Sequence, residues 1–514
     1  MPLLFPSISI QPNSCINMKE LENGDPPSQS VGQRLDPSDW QTYRRRMHQL
    51  LDQCIDRMEA YQELPWQKPP ATMNVDIHET EGQPLELVLD RLTNEIMPYA
   101  TGNTHPKFLG WVHGAGIPSC VAADLVQSTM NSNCGGRYQG AAEVEKECIR
   151  WLCEKAGLVE TETATPFGVL TNGTSQSTIL ALLAARTSRF GYDIRQKGIL
   201  ELPPVRLYVS EAAHSCLVRG MECLGHGGNA VVRVPVDPKS GAMNIQELER
   251  MLTEDESSGY CTLGIVGTCG SVTVGAYDDF EAIADLAAKH NVWFHVDAAF
   301  GFWIRLSHDP KLSNLAKGIE RANSIALDAH KWPGVQYDCG VLLVQDKNHL
   351  RRTLAMRPAY LQSANHGLAG GDLWFTDYSL DLSRGFRALK LWTALSVSGA
   401  DCIGSVITDH CQMAVQMGEL VQSSLIFELA HPVISNVCCF HIKPDIADNG
   451  RVPEAAHVAA AMQMDGDGVF STITLDGRAC LRAAIVNHRI TPKDIEAMID
   501  AAEKAVLSIL ETIG

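Results

Sequence analysis

Four short segments of this chain carry side chains suited to holding a flat, charged small molecule. In Ser324-Ile-Ala-Leu-Asp-Ala-His-Lys-Trp332 an apolar run ends, and Asp328, His330, Lys331 and Trp332 follow at once. Partial desolvation of a lysine beside an imidazole and an indole lowers the ammonium pKa, and a neutral amine forms a Schiff base with a carbonyl. The same spacing also suits an edge lysine whose stem snorkels to water. In His295-Val-Asp297-Ala-Ala299-Phe-Gly301 an acid closes an apolar run. A carboxylate there can keep a ring nitrogen protonated and turn the ring into an electron sink, with Ala299 leaving room for the ring face; the plainer alternative is an Asp that caps the next turn. Leu170-Thr-Asn-Gly173-Thr174-Ser175 leads into the helical run Gln176–Arg186. Free N–H groups and the positive end of a helix dipole make a phosphate site, although most such turns are ordinary N-caps. Val209-Ser-Glu-Ala-Ala-His214-Ser215 sets an imidazole just after a strand, placed to stack on a ring or to serve a structural role.

These segments sit in a pattern that positions them. Apolar or β-branched runs at Val205–Val209, Ala230–Val234, Cys261–Val266, Val292–Val296, Ser324–Leu327 and Gly340–Val344 alternate with helical stretches. The helical stretches are Ser175–Arg189, Ala213–Leu224, Ile245–Leu252 and Phe280–His290. Such alternation predicts an α/β fold with a mainly parallel sheet covered by helices, with ligands beyond the carboxyl ends of its strands. Residues 1–34, rich in Pro, Ser and Asn, read as a mobile tail. Residues 35–110 read as an N-terminal helical segment, with one helix starting at Asp36-Pro37-Ser38 and running through Ile55, and a second over Leu85 to Met97. Residues 111–394 then form the large domain and 395–514 a small α+β domain. In the latter the pattern predicts a helix near Val406–Phe427, strands at Val433–Ile442, Val469–Leu475 and Ala479–Val486, and a closing helix at Pro492–Ile513. Asp476-Gly477 marks a hairpin turn. Asp465-Gly-Asp467-Gly lacks the terminal Glu of a calcium loop and reads as a solvated turn.

The 514 residues carry a formal net charge of -18, which repels phosphate backbones and argues against nucleic acid as a partner. The 16 cysteines show no metal-type spacing and no disulfide framework, as in a reducing compartment. Cys438-Cys439 sits inside an apolar run and reads as buried strand packing. The start of the chain lacks a basic n-region, and no run of about 18 apolar residues stands out, so no membrane span and a cytoplasmic location are expected.

In this order, the four segments resemble the group II decarboxylases dependent on pyridoxal 5'-phosphate (PLP), the family of aromatic-L-amino-acid and glutamate decarboxylases. The resemblance runs over roughly residues 85–500 and takes in HPKF at 105–108, HVDAAFG at 295–301, DAHKW at 328–332, YDCG at 337–340 and Leu382-Ser-Arg384-Gly-Phe-Arg387. It implies a fold-type I enzyme of the aspartate-aminotransferase-like class: a mainly parallel seven-stranded sheet with helices on both faces, working as a homodimer. Lys331 then carries PLP, Asp297 pairs with the pyridine nitrogen, His214 and Ala299 take its two faces, and Gly173, Thr174 and Ser175 hold its phosphate. Trp332 and His330 flank the lysine, with His330 assisting proton transfer. Tyr360 delivers the proton to Cα after CO₂ leaves; relatives that make aldehydes carry phenylalanine there. The implied reaction is decarboxylation of an aromatic L-amino acid (tryptophan, tyrosine, phenylalanine or DOPA) to its amine. The alternatives are an acidic or sulfinic amino acid, an aromatic aldehyde synthase, or a non-catalytic scaffold.

The chain also departs from the family pattern. Asp328 replaces an asparagine near the phosphate and is expected to turn toward backbone N–H groups. Cys269-Gly-Ser271-Val replaces a Gly-Thr-Thr turn, leaving Thr268 or Ser271 to supply a hydroxyl. Trp111 and His113 occupy the place of an aromatic substrate wall, and Asn131 and Asn133 stand where apolar residues cross the dimer. His488 or Arg489 is placed to reach the pocket mouth.

Overall fold

A computed structural model describes residues 35–73, 75, 77, 82–356, 366–368, 370–371, 373–446 and 452–513. Its centre is a seven-stranded sheet of β1 (Phe167–Thr171), β2 (Val205–Ser210), β3 (Val231–Val234), β4 (Cys261–Thr268), β5 (Trp293–Asp297), β6 (Ser324–Asp328) and β7 (Gly340–Val344). The strand order is β1-β7-β6-β5-β4-β2-β3. β7 runs antiparallel to both neighbours, and the other pairings are parallel. Strands covered on both faces read as unbroken apolar runs; every residue of β5, β6 and β7 is buried. The one strand of this sheet that the pattern did not predict is β1. It is five residues long, contains Gly168 and follows Pro166, so its local sequence reads as a turn.

Local signals set the helix ends. Asn244 accepts from the Glu247 N–H and Asp279 from the Ala282 N–H, capping the helices Ile245–Ser257 and Phe280–His290. At the chain's start Asp39 caps Trp40–Glu59 by accepting from the Gln41 N–H. That helix and Leu85–Arg91 bury none of their residues.

A second sheet, fully antiparallel, has the order β10-β11-β9-β8, from β8 (Phe427–Leu429), β9 (Val437–Ile442), β10 (Ser471–Leu475) and β11 (Arg478–Ala484). Leu475 pairs with Arg478, so Asp476 and Gly477 form a two-residue turn, both at positive φ as the twist of a tight hairpin demands. Cys438 and Cys439 point to opposite faces of β9 and enter two different apolar cores. Among the described residues every cysteine is a free thiol.

The second half of the chain also differs from the sequence expectation. The helix expected near Val406 begins at Ala388 and runs to Ser423, broken at Gly399 where φ is +74°. The residues read as its end, from Phe427, form β8 instead. The helix Ala455–Asp465 was not foreseen, because its alanines leave no contrast between faces. Ala388–Ser423 is long and apolar enough to cross a membrane by length and composition. It packs instead on helices Pro118–Met130, Gly140–Ala156 and Pro492–Ile513, burying Leu391, Ile407 and Met417.

Candidate active site

The carboxyl edge of the large sheet gathers the chemistry. Thr268 ends β4, Asp297 ends β5 and Asp328 ends β6, while His214 follows β2 and Thr174 opens the helix after β1. They converge on a cleft of about 600 Å³, also lined by Trp111, His113, Ala299, His330, Lys331 and Tyr337.

Lys331 Nζ lies 2.9 Å from Asp328 Oδ2. Burial works to lower this ammonium, but Asp328 and then Asp297 outweigh it, and the net push is upward. The expectation of a lysine made neutral by desolvation alone is thus corrected: two carboxylates keep it charged. Asp328 Oδ1 accepts the Thr174 N–H at 2.7 Å, so this carboxylate faces the helix N-terminus and the lysine together. Its backbone carbonyl accepts from Trp303 Nε1 at 2.9 Å, which fixes the strand end.

Asp297 is 5% exposed. Burial pushes its carboxyl upward, opposed by Lys331, His214 and the Ala299 N–H, which donates to Oδ1 at 3.2 Å. The Cys216 thiol approaches Oδ2 at 3.9 Å. Two buried hydroxyls of the cleft, Thr174 Oγ1 and Thr268 Oγ1, have no partner among the described residues. Buried polar atoms are rarely left unsatisfied, so orphans here mark a place for ligand oxygens. His330 Nδ1 accepts the Cys339 N–H at 3.0 Å, and burial lowers its pKa, leaving a neutral imidazole.

The opposite wall is aromatic. Leu109 N–H donates to Val469 O and Leu109 O accepts from Ala484 N–H, pinning the segment to the small sheet. Gly114 then passes so close to the backbone of His330 that a Cβ would lie 2.2 Å from its carbonyl oxygen; only glycine brings this segment against the lysine. Phe108, Trp111 and His113 form a ring cluster with centroids 5.6 to 6.0 Å apart, and Tyr337 meets His113 edge-on at 6.4 Å. Trp111 itself sits at φ +50°. Arg482, 3% exposed, holds this wall from behind. Its Nη1 donates to Trp111 O at 3.0 Å and its Nε to Thr273 O at 3.1 Å. Burial lowers its pKa.

An amine, a buried carboxylate, an imidazole and a helix N-terminus around one cleft suit an aldehyde cofactor with a phosphate and a basic ring nitrogen. Those are the parts of PLP, and the fold is that of a fold-type I PLP enzyme. The chain belongs to the family described as "Pyridoxal-dependent decarboxylase conserved domain", whose model matches residues 70–443. It is a PLP-dependent amino acid decarboxylase. It is 26% identical over 462 residues to an aromatic-L-amino-acid decarboxylase of Bacillus atrophaeus, covering 88% of this chain and 93% of the relative. It is 28% identical over 388 residues to the cysteine sulfinic acid decarboxylase of Mus musculus, covering 73% and 75%. The crystal structure of Oryza sativa TDC with PLP and tryptamine superposes with a TM-score of 0.84 at 22% identity, covering 92% of this chain and 99% of that one.

Several residues named from sequence fall elsewhere. Trp332, expected in the substrate pocket, is 2% exposed and turns inward, donating from Nε1 to His410 Nδ1 at 3.0 Å. Ser271, expected at the cofactor, spends its hydroxyl within its own turn, on Thr273 Oγ1 and the Ala276 N–H. Arg489 donates to the carbonyls of Ala115 and Gly116 and stacks on Tyr61, so it serves structure. His488 is exposed and lies outside the lining of the cleft. Asn131 caps a helix in the left-handed conformation and Asn133 accepts from the Arg384 N–H; neither lines the cleft of a single chain. Gly173 and Ser175 line it beside Thr174. Tyr360 lies outside the described residues. Sequence reasoning assigned no site role to Tyr337, although it opens the YDCG motif, nor to Cys216, two residues past His214. Arg482 was missed because nothing in Arg-Ala-Cys-Leu-Arg-Ala-Ala marks one arginine of a strand as inward-facing.

Proposed function

We propose that this chain decarboxylates an aromatic L-amino acid to the corresponding amine and CO₂. The carrying observation is the substrate-side wall. Trp111, His113 and Tyr337 face the cleft, and Lys331 is its one lysine or arginine among the described residues. An aromatic ring gains offset or edge contacts there, whereas an acidic side chain finds no free cation.

When bound, PLP supplies the electron sink for the pair released as the Cα–carboxylate bond breaks. Lys331 would offer the amine that holds its aldehyde, and Asp328 would pair with that side chain whenever it is a free ammonium. Asp297 would hold the ring nitrogen in its protonated form. The hydroxyls of Thr174 and Thr268 meet polar atoms of the cofactor, and the aromatic wall excludes water from the reacting Cα. Tyr360 returns the proton to Cα, so Tyr360→Phe shifts product from amine toward aldehyde, with dioxygen as the oxidant and water supplying the carbonyl oxygen as peroxide and ammonia are released. The working unit is a homodimer: Trp40, Leu51, Ile55, Leu87, Val88 and Ile96 leave apolar surface on the N-terminal helices that a second copy would cover.

The competing reading is an acidic or sulfinic amino acid. It is favoured by Arg482, whose Nη2 is buried behind Trp111 without a hydrogen-bond partner among the described residues. One panel decides between them. Amine or CO₂ from tryptophan, tyrosine, phenylalanine or DOPA, with none from glutamate, aspartate or cysteine sulfinate, supports the aromatic reading. The reverse pattern overturns it.

A further inference from the structure

The ring cluster on the substrate side holds one member that can do more than pack. His113 is coplanar within 15° of Phe108 and within 23° of Trp111, so its plane is set by its neighbours. Neither ring nitrogen has a hydrogen-bond partner among the described residues, and the residue lines the cleft. A part-buried imidazole with its orientation fixed and its nitrogens unspent is a waiting hydrogen-bond partner. Phenylalanine at this place would pack as well and cost nothing in desolvation.

We infer that His113 reads the polar substituent of an aromatic substrate, a phenolic hydroxyl or an indole N–H, and so biases this cleft toward hydroxylated and indolic rings over phenylalanine. The inference rests on the aromatic reading above. Burial and the nearby Lys331 lower the His113 pKa, which keeps the ring neutral. A neutral imidazole has one donor and one acceptor nitrogen. The acceptor takes a phenol O–H or an indole N–H, and the donor reaches a phenol oxygen. Tyr337 completes this end of the cleft, meeting His113 edge-on with ring centroids 6.4 Å apart. The carboxylates of the cleft, Asp297 and Asp328, belong to the cofactor side and do not compete for the ring substituent.

His113→Phe separates reading from packing, since it keeps a flat ring in the cluster. The measurement is kcat/KM for tyrosine, tryptophan and phenylalanine with wild type, His113→Phe and His113→Gln, alongside binding of the corresponding amines to the holoenzyme. With His113→Phe, kcat/KM for tyrosine and tryptophan should fall about 10- to 100-fold relative to phenylalanine, the scale of one lost hydrogen bond to a part-buried group. Tyramine and tryptamine should weaken in parallel, while phenethylamine does not. His113→Gln should recover part of the preference. An equal loss on all three substrates, or an unchanged ratio, overturns the inference while leaving the aromatic reading intact. A wild type that turns over none of the three, nor DOPA, overturns the aromatic reading itself.

Discussion

On the cofactor side of the cleft, Thr268, Asp297 and Asp328 end three adjacent parallel strands, and strand register sets their spacing: Thr268 pairs with Asp297, and Asp297 with Ala326. Each carboxylate is held by backbone N–H groups. On the substrate side, Trp111, His113 and Tyr337 come from loops and are held by ring contacts and one guanidinium. The first side resists change because moving one residue moves a strand in the middle of a core. The second can be reshaped one side chain at a time. Chemistry is therefore fixed by the sheet and specificity by what leans over it, and variants on the two sides should fail in different ways.

The sharpest break is on the cofactor side. Lys331→Ala should remove activity by about 10⁴-fold or more, the scale of losing a covalent catalytic group. Borohydride treatment of the holoenzyme should fix a pyridoxyl mass on the peptide holding Lys331 in wild type and on no peptide in the variant. Fixation at another lysine would dissolve the comparison. Asp297→Asn comes next. It should cost about 10²- to 10⁴-fold in kcat, the range of a group that manages a proton, with little change in KM for aromatic substrates. If kcat stays within a few-fold, the ring nitrogen is not held by this acid.

Arg482 tests the other side. Arg482→Met leaves the carbonyls of Trp111 and Thr273 without this donor, at about 1–3 kcal/mol each. The wall should loosen, raising KM about 10-fold while kcat stays within a few-fold and PLP still binds. Equal losses in kcat and PLP affinity would show that the two faces are not independent. If Arg482→Met instead abolishes turnover of cysteine sulfinate that the wild type performs, the guanidinium reads substrate.

The same contrast explains what was legible beforehand. Lys331, Asp297, Thr174 and His214 each follow a strand or open a helix, so the period of the apolar pattern points to them. Trp332 misled because residue type and adjacency to Lys331 suit a pocket wall, yet the side chain direction depends on His410, 78 positions away. Ser271 misled because a hydroxyl beside a cofactor and a hydroxyl closing its own turn look alike in sequence. β1 was hidden by Pro166 and Gly168, although the Gly173-Thr174-Ser175 turn follows just past its end. Arg482 and Tyr337 gain their roles only through contacts between segments hundreds of residues apart, which no local pattern encodes.

The smallest expected effect lies beneath both faces. His410 accepts from Trp332 Nε1 at Nδ1 and donates from Nε2 to Asn487 O at 3.1 Å, so each ring nitrogen has one defined role. Protonation would place a second hydrogen on Nδ1, facing the indole donor. Burial accordingly lowers its pKa from 6.5 to about 4. A histidine depressed in the folded state contributes stability in full above 6.5, and the contribution is lost as pH falls toward about 4, up to about 3 kcal/mol. Asp278 works the other way. Burial raises it from 3.8 to about 6, so its contribution is present at low pH and lost as pH rises through about 6. The two nearly cancel between, and removing one exposes the other. His410→Gln keeps an acceptor and a donor but does not titrate. Urea midpoints at pH 7.5 and 5 should therefore separate in the variant, with the pH 5 midpoint the higher, against a wild type that changes little. Identical pH profiles for the two proteins would mean that the Trp332–His410 bond carries no proton-linked stability.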